Sequence, residues 1–252
     1  MQSNASLAIY SVCSEGYRDV YSVFRKSLED IGYPAEQIIT KFYDDSDFDA
    51  KGFQTPSWYF AIQEKLRFVL SQVRTHPGKF IISSDVDIQF FPPFLEADLG
   101  QLMNARNLDL LFMRELSNEV PPVNAGFIVI RCTEEVARLL ESISGRIAEE
   151  QLPFADQTAF SEALRSGAHE VRFDTIDTDK VIWGLAAPPV ISDAWFHHAV
   201  CCRTNAEKLN QFEAIRTIRA AHQRKISSVL RSLARRIFTR NREADFRGRA
   251  VQ

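Results

Sequence analysis

The sequence lacks any apolar run long enough to cross a membrane as a helix, which takes about 20 residues. The N-terminal stretch, MQSNASLAIYSVCSEGY, has neither the basic segment nor the long apolar segment of a secretory signal peptide. Internal repeats and low-complexity segments are also missing. With 252 residues, 45% of them apolar and 25% charged, we expect a soluble globular protein of one large domain or two small ones.

Cysteine is scarce and forms no metal-binding or redox pattern. The four cysteines are Cys13, Cys132, Cys201 and Cys202, and no two of them make a Cys-x-x-Cys pair. Adjacent cysteines rarely bond to each other, and a chain of this size does not need disulfides to fold. We therefore expect reduced thiols and a cytoplasmic location.

Net charge is small, at −3, but it is unevenly distributed. Residues 203–252 contain 13 Lys/Arg and 4 Asp/Glu, whereas residues 1–202 contain 17 and 29. An acidic body is thus followed by a basic tail. The tail has no Tyr or Trp beyond residue 213 to stack on bases, so no nucleic-acid partner is expected.

Short apolar segments alternate with helical periodicities, which indicates an α/β fold with a mostly parallel sheet. Strands are predicted over residues 6–13, 37–44, 78–91, 108–115, 124–132, 169–176 and 181–191. Helices are predicted over residues 16–32, 57–77, 133–150, 156–167 and 205–240. Residues 1–212 are interpreted as one domain and residues 213–252 as a basic amphipathic helical tail, disordered over its last ten or so residues.

Two aspartates end the apolar segment FIISSDVDIQFF, where an unpaired buried charge would cost several kcal/mol. Asp85 and Asp87 are two positions apart, so in an extended chain their side chains point to the same face. Ligands of open α/β sheets bind beyond the carboxyl ends of the strands. Because Mg2+ and Mn2+ prefer oxygen ligands and often also bind substrate phosphate, the pair predicts a metal-bridged diphosphate. The alternative is that one aspartate caps a turn and the other faces solvent.

Five segments then occur in the order found in one group of enzymes. From Lys65 to Lys208 they read KLRFVL, FIISSDVDIQFFPPF, VNAGFIVIR, FADQTAFSEAL and HHAVCCRTNAEKL. These segments include the DxD motif, and in them the chain resembles retaining glycosyltransferases with the Rossmann-like GT-A fold. The resemblance is to family 77 and, more distantly, to family 8, which includes glycogenin. The resemblance implies transfer of a hexose or pentose from a UDP-sugar to a hydroxyl of a glycan, glycolipid or protein acceptor.

The resemblance also implies a metal site. Asp87 would ligate Mn2+ or Mg2+, Asp85 would contact the metal or the ribose, and His198 would be the third protein ligand. His197 competes with His198, because neighbouring histidines on a strand point in opposite directions and at most one of them is expected to reach the metal. Taken by itself, a histidine pair after Trp195 is more often packed in the core than bound to metal.

Lys65 and Lys208 would meet the diphosphate, where a cation offsets the charge of the leaving group. For Lys65 the alternative is a solvated helix face. The related families usually have a glycine between the late histidine and lysine, but here the loop reads AVCCRTNAE without one. Arg203 is the substitute candidate for phosphate contact.

The resemblance places three further residues around the transferred sugar. Asn124 would line the pocket, Asp156 would accept hydrogen bonds from sugar hydroxyls, and Gln157 would lie near the anomeric carbon. The alternatives are a turn before a strand for Asn124 and the N-cap of a helix beginning at Gln157 for Asp156.

The basic tail places Ile215, Ile218, Ile226 and further apolar residues at helical spacing, with Arg and Lys between them. Such a helix binds an anionic membrane surface, here the inner membrane face, or packs its apolar stripe against the acidic body. Two other functions compete with the transferase. One is a non-catalytic domain that binds nucleotide sugars or glycans, and the other is a phosphatase of the haloacid dehalogenase type, which also carries DxD after an apolar strand.

Overall fold

A computed structural model describes residues 7–47, 53–115, 121–150, 152, 154–185 and 191–224. The chain divides into two compact units, Met1–Phe212 and Glu213–Gln252, and the first contains every strand of the described residues. A six-stranded sheet runs through this unit in the order β2-β1-β3-β6-β5-β7. Its strands are β1 (Ala8–Ser14), β2 (Ile38–Tyr43), β3 (Phe80–Ser84), β5 (Leu110–Arg114), β6 (Val123–Arg131) and β7 (Phe173–Thr175).

Five of the six strands run in one direction and β6 runs against them. β1 pairs in parallel with β2 and β3, and β5 pairs in parallel with β7, whereas β6 is antiparallel to both β3 and β5. The prediction of a mostly parallel α/β sheet is therefore confirmed.

Successive side chains of each strand point to opposite faces of the sheet, and both faces are apolar. In β6, Phe127 and Val129 contribute to the core on one face, while Ile128 and Ile130 contribute to the core on the other. Helices cover both faces, as a sheet of this kind requires. They are α1 (Arg18–Asp30), α2 (Pro56–Thr75), α3 (Pro93–Glu96), α4 (Leu99–Ala105), α5 (Glu134–Glu149) and α6 (Ala155–Ser166).

Sequence capping signals mark two helix starts. Thr55 accepts a hydrogen bond from the backbone of Trp58 at the start of α2, and Pro56 occupies the first helical turn. Thr133, the predicted cap of α5, accepts one from the backbone of Val136 at 3.2 Å.

A second sheet of three short strands carries the late part of the chain. Its strands are β4 (Ile88–Phe90), β8 (Val181–Trp183) and β9 (Phe196–His198), in the order β4-β9-β8. The single strand predicted over residues 78–91 is wrong. It ends at Ser84, the segment containing Asp85 and Asp87 is irregular, and the chain resumes as β4 in the other sheet.

The predicted strand over residues 181–191 is also too long, because β8 ends at Trp183 and Ile191 begins a 3₁₀ turn. Residues 186–190 of that segment lie outside the described part.

The late helix is present over residues 205–224, with residues 205–212 in the first unit and residues 213–224 in the second. The rest of the basic tail, residues 225–252, lies outside the described residues, so its amphipathic helix and membrane binding stay predictions. Among the described helices, none combines the length and the hydropathy that a membrane span requires.

Candidate active site

The segment that follows β3 crosses between the two sheets and is fixed by backbone hydrogen bonds at both ends. The N–H of Asp85 donates to the carbonyl of Gly126 at 2.7 Å, and the carbonyl of Asp87 accepts from the N–H of Ala199 at 3.0 Å. Antiparallel pairing of β4 with β9 places Ile88 opposite His198. As a result one ligand atom each of Asp85, Asp87 and His198 lies within 4.8 Å of the others.

Asp87 lies between two basic groups. Its Oδ2 is 2.5 Å from Nζ of Lys208, and its Oδ1 is 3.3 Å from Nε2 of His198. Burial alone would raise the pKa of Asp87, but Lys208 and His198 outweigh it and hold that pKa well below its usual range. The pKa of Lys208 is raised, because the carboxylate of Asp87 outweighs the opposing effect of burial. Both groups are therefore charged at neutral pH.

Lys65 links Asp85 to the sugar-side residues. Its ammonium lies 3.0 Å from Asp85, 2.7 Å from Asp156 and 3.3 Å from the carbonyl of Ala125. Burial would lower the pKa of Lys65, but the two carboxylates reverse the effect and raise it. The solvated alternative is wrong, since only 7% of Lys65 is exposed. An ammonium has three donors, so a phosphate would have to replace one of these partners; diphosphate contact stays a prediction.

His198, not His197, faces the aspartates. His197 is fully buried and its ring packs edge-on against Phe212, with ring centroids 5.5 Å apart. Its ring nitrogens have no hydrogen-bond partner among the described residues. Burial and, to a smaller extent, the neighbouring His198 lower the pKa of His197 to about 3, so His197 is a neutral core residue.

The donor set fits a divalent cation. Two carboxylates and one imidazole suit Mn2+ and, through the oxygens, Mg2+. Asp87 Oδ1 is buried, and its 3.3 Å contact with Nε2 of His198 is not a well-formed hydrogen bond, so a cation bound between the two side chains would take both atoms as ligands. The pKa of Asp85 is raised by burial, with Lys65 opposing and Asp87 adding to the rise, and a bound cation would relieve the repulsion between the two aspartates.

Asn124 and Gln157 meet in a polar network beside this cluster. Asn124 Nδ2 donates to Glu115 at 2.8 Å and to the side-chain oxygen of Gln157 at 2.9 Å. Gln157 Nε2 donates to the same oxygen of Glu115 at 3.0 Å, and Asn124 Oδ1 accepts from the N–H of Gly126 at 2.8 Å. Sequence reasoning missed Glu115. The only signal was a carboxylate directly after a buried strand, at the same sheet edge as Asp85.

Asp156 is not the N-cap that the alternative predicted. Helix α6 begins one residue earlier, at Ala155, and its N-cap is Phe154 in the left-handed conformation without a side-chain cap. Asp156 lies in the first turn, accepts from the N–H of Gln157 at 3.0 Å, and turns its other oxygen to Lys65.

A family model for nucleotide-diphospho-sugar transferases matches residues 25–212. This chain belongs to that family. The phosphatase alternative is therefore wrong, and the family supports a glycosyltransferase over a domain that only binds nucleotide sugars or glycans. A search of curated protein sequences gave no significant match.

Solved structures with a similar fold are also glycosyltransferases. One is the enzyme involved in glycosylation of the major capsid of PBCV-1, with a TM-score of 0.55 and 14% identity over 82% of this chain and 99% of that one. Mouse xyloside xylosyltransferase 1 has a TM-score of 0.49 and 11% identity, covering 77% and 98% of the two chains. The first similarity shows that the transferase has a GT-A-like fold.

The loop between His198 and Lys208 of this transferase lacks the expected glycine, and a cysteine adopts the left-handed backbone conformation there. Cys201 has φ of +58°, in the left-handed region that glycine normally occupies. Lys208 is then held by Asp87 and by the carbonyl of Ala199 at 2.9 Å. Arg203 is exposed, and its side chain makes no hydrogen bond or ion pair with the described residues. The structure thus does not bring Arg203 into the cluster, and its phosphate contact stays a prediction.

Gly126 of the transferase packs closely against two residues of the site. A Cβ there would lie 2.8 Å from Cε1 of His198 and 2.9 Å from Oδ1 of Asn124, closer than real contacts. We expect Gly126→Ala to push His198 off the aspartates and to weaken Mn2+ binding about tenfold or more, because misplacing a ligand removes its coordination. Titration of Mn2+ by calorimetry measures this. Gly145→Ala, where a Cβ meets no atom within 4 Å, is the control; equal Mn2+ affinity in both variants would contradict the assignment of His198.

Proposed function

We propose that this glycosyltransferase requires a divalent cation, Mn2+ or Mg2+, and transfers a sugar from UDP to an acceptor hydroxyl with retention of configuration. The observation that carries the proposal is the convergence of Asp85, Asp87 and His198 within 4.8 Å, with Lys208 against Asp87. UDP as the nucleotide and retention as the outcome rest on the sequence resemblance. The family supports the coarser statement, transfer from a nucleotide-diphospho-sugar.

Three residues would hold the cation: Asp85, Asp87 and His198. When bound, a divalent cation there neutralises the diphosphate and acts as a Lewis acid on the departing nucleotide. Lys208 complements it, since its charge is secured by Asp87 and its ammonium lies beside the Tyr17 ring, 5.9 Å from the centroid. The chain thus supplies a fixed positive charge where negative charge develops.

The polar network supplies the sugar side of the proposed site. Asn124 and Gln157 are hydrogen-bonded to each other and to Glu115, so the second N–H of Gln157 Nε2 and the remaining lone pairs of the two amide oxygens are oriented before a sugar arrives. Asp156 is anchored by Lys65, and in this proposal it accepts a hydrogen bond from a sugar hydroxyl. This arrangement supports the predicted roles of Asn124, Asp156 and Gln157 around the transferred sugar.

Binding of UDP by calorimetry is the direct test. We expect saturable binding with Mn2+ and binding at least about tenfold weaker with EDTA, because the cation bridges the diphosphate to the carboxylates. Uridine, which lacks the diphosphate, should bind equally with and without Mn2+. UDP affinity that does not respond to EDTA would refute the metal role, and tighter metal-dependent binding of GDP or ADP would move the proposal to another nucleotide.

A further inference from the structure

Three aromatic rings cluster on the surface of the first unit, and we call Phe53, Trp58 and Phe154 the aromatic patch. The ring centroids of Phe53 and Trp58 are 4.9 Å apart, and those of Phe53 and Phe154 are 5.6 Å apart. Phe53 is 56% exposed and Phe154 is 49% exposed, although both are large and apolar. Grouped exposed aromatic side chains mark binding surfaces more often than scattered ones do.

The backbone beneath the patch is strained. Phe154 has φ of +57° and Ala155 has φ of +36°, so two consecutive residues with side chains are in the left-handed region. Such conformations are costly for a bulky residue and persist where the surroundings impose them, often at ligand sites. Here the hydroxyl of Tyr59 donates to the carbonyl of Leu152 at 3.2 Å and ties the segment to helix α2.

The patch adjoins the proposed sugar pocket. Phe154 precedes Asp156 by two residues, and Trp58 precedes Lys65 by seven residues on α2. Seven residues are close to two helical turns, so Trp58 and Lys65 share one face of the helix about 10 Å apart along its axis. A chain of two sugar rings covers that span.

We propose that the aromatic patch is the acceptor subsite, where a pyranose ring of a carbohydrate acceptor lies on the rings of Phe53, Trp58 and Phe154. This inference rests on the proposed function, because it places the acceptor next to the donor sugar held by Asp156. A pyranose has an apolar C–H face that packs on the electron-rich face of an aromatic ring, while its hydroxyls point outward to polar groups. The carbohydrate is favoured over a purely apolar partner because Asp156 and Gln157, whose polar groups would meet sugar hydroxyls, follow Phe154 by two and three residues.

Tryptophan fluorescence of the full-length protein, saturated with UDP and Mn2+, tests this inference with methyl α- and β-glycosides of glucose, galactose, mannose and xylose. We expect at least one glycoside to change the emission saturably. Phe53→Leu/Phe154→Leu, which keeps the apolar character but removes two rings, should weaken that binding about tenfold, and Phe154→Tyr should retain it. The control is Leu95→Ala, which should bind the glycoside as the unsubstituted protein does. Leu95 is an exposed apolar residue on α3, and its neighbour Phe94 belongs to the core on the other face of the sheet.

The metal-dependent affinity for UDP distinguishes a failure of the acceptor-subsite inference from a failure of the proposed function. If the double variant binds UDP with Mn2+ as the unsubstituted protein does and loses glycoside binding, the acceptor subsite is supported. If UDP binds normally but no glycoside binds, or the double variant binds glycosides unchanged, the inference is overturned while the proposed function stands. Loss of binding to anionic phosphatidylglycerol vesicles in the double variant, with no glycoside effect, would identify a membrane contact and likewise overturn it. Absence of UDP binding in the unsubstituted protein counts against the proposed function itself.

Discussion

Replacement of Asp87 by Asn is expected to lower sugar transfer by about a thousandfold. Asn keeps the shape of the side chain but removes the charge that holds Lys208 at 2.5 Å and faces His198 at 3.3 Å. Removing one group that stabilises developing negative charge costs about 2.7–4 kcal/mol, and the loss of Asp87 would release both Lys208 and the proposed cation. Loss of the carboxylate also removes a ligand of the proposed cation, so metal-dependent UDP binding should disappear together with turnover. Donor turnover and UDP calorimetry measure the two effects.

The same substitution is also expected to destabilise the fold, which affects how the result is interpreted. Lys208 is mostly buried, and losing its carboxylate partner leaves a charge that burial opposes; we expect the free energy of unfolding to fall by about 3 kcal/mol. Asp87→Asn/Lys208→Met removes both charges and should regain most of that stability without regaining UDP binding. Asp174→Asn, which breaks an exposed pair with Arg106, should change neither property. A stable double variant that still transfers sugar would exclude a catalytic role for Asp87.

The core of the site could be predicted because its residues lie close in sequence or on patterned strands. Asp85 and Asp87 are two positions apart after an apolar segment, and this spacing alone suggested that both approach one point. The structure keeps them together, although the segment is irregular and not the end of a regular strand. Strand alternation indicated that at most one histidine of the pair reaches the metal, and the resemblance favoured His198 because Lys208 follows it by ten residues. In the structure β9 turns His198 to the aspartates and His197 into the core.

Other features depend on contacts between distant segments, which no local pattern encodes. Glu115 joins Asn124 and Gln157 only because β5 lies beside β6 and α6 begins near both. The interaction of Lys65 with Asp85 and Asp156 spans 20 and 91 residues of sequence, so helix periodicity alone could not distinguish a solvated lysine from a buried one. The left-handed Phe154 is another such case, because a phenylalanine gives no sequence signal for that conformation.

Replacement of Lys65 by Met is expected to produce the largest loss of stability in the site. Met matches Lys in length but cannot neutralise Asp85 at 3.0 Å or Asp156 at 2.7 Å. Asp156 then stays buried without its partner, and Asp85, whose side chain is 34% exposed, also loses its counter-charge. Breaking a buried ion pair by removing one member costs about 3–5 kcal/mol. Denaturant unfolding near neutral pH measures this loss, with Lys41→Met as the matched control. Lys41 pairs with Glu64 at 2.7 Å but is itself 44% exposed, so its loss should cost about 1 kcal/mol or less.

The dependence of this loss on pH identifies its cause. The pKa of Asp85 is already raised by burial even with Lys65 opposing the rise, and removing the ammonium raises it further. A carboxyl with a folded-state pKa above its unfolded value binds more protons when folded, so the variant gains stability relative to the parent as the pH falls towards that folded value. The difference in the free energy of unfolding between Lys65→Met and the parent should therefore become smaller in mild acid. A difference that stays constant from neutral pH to mild acid would mean that Lys65 stabilises the fold by packing its aliphatic chain, and that its contacts with the two carboxylates contribute little.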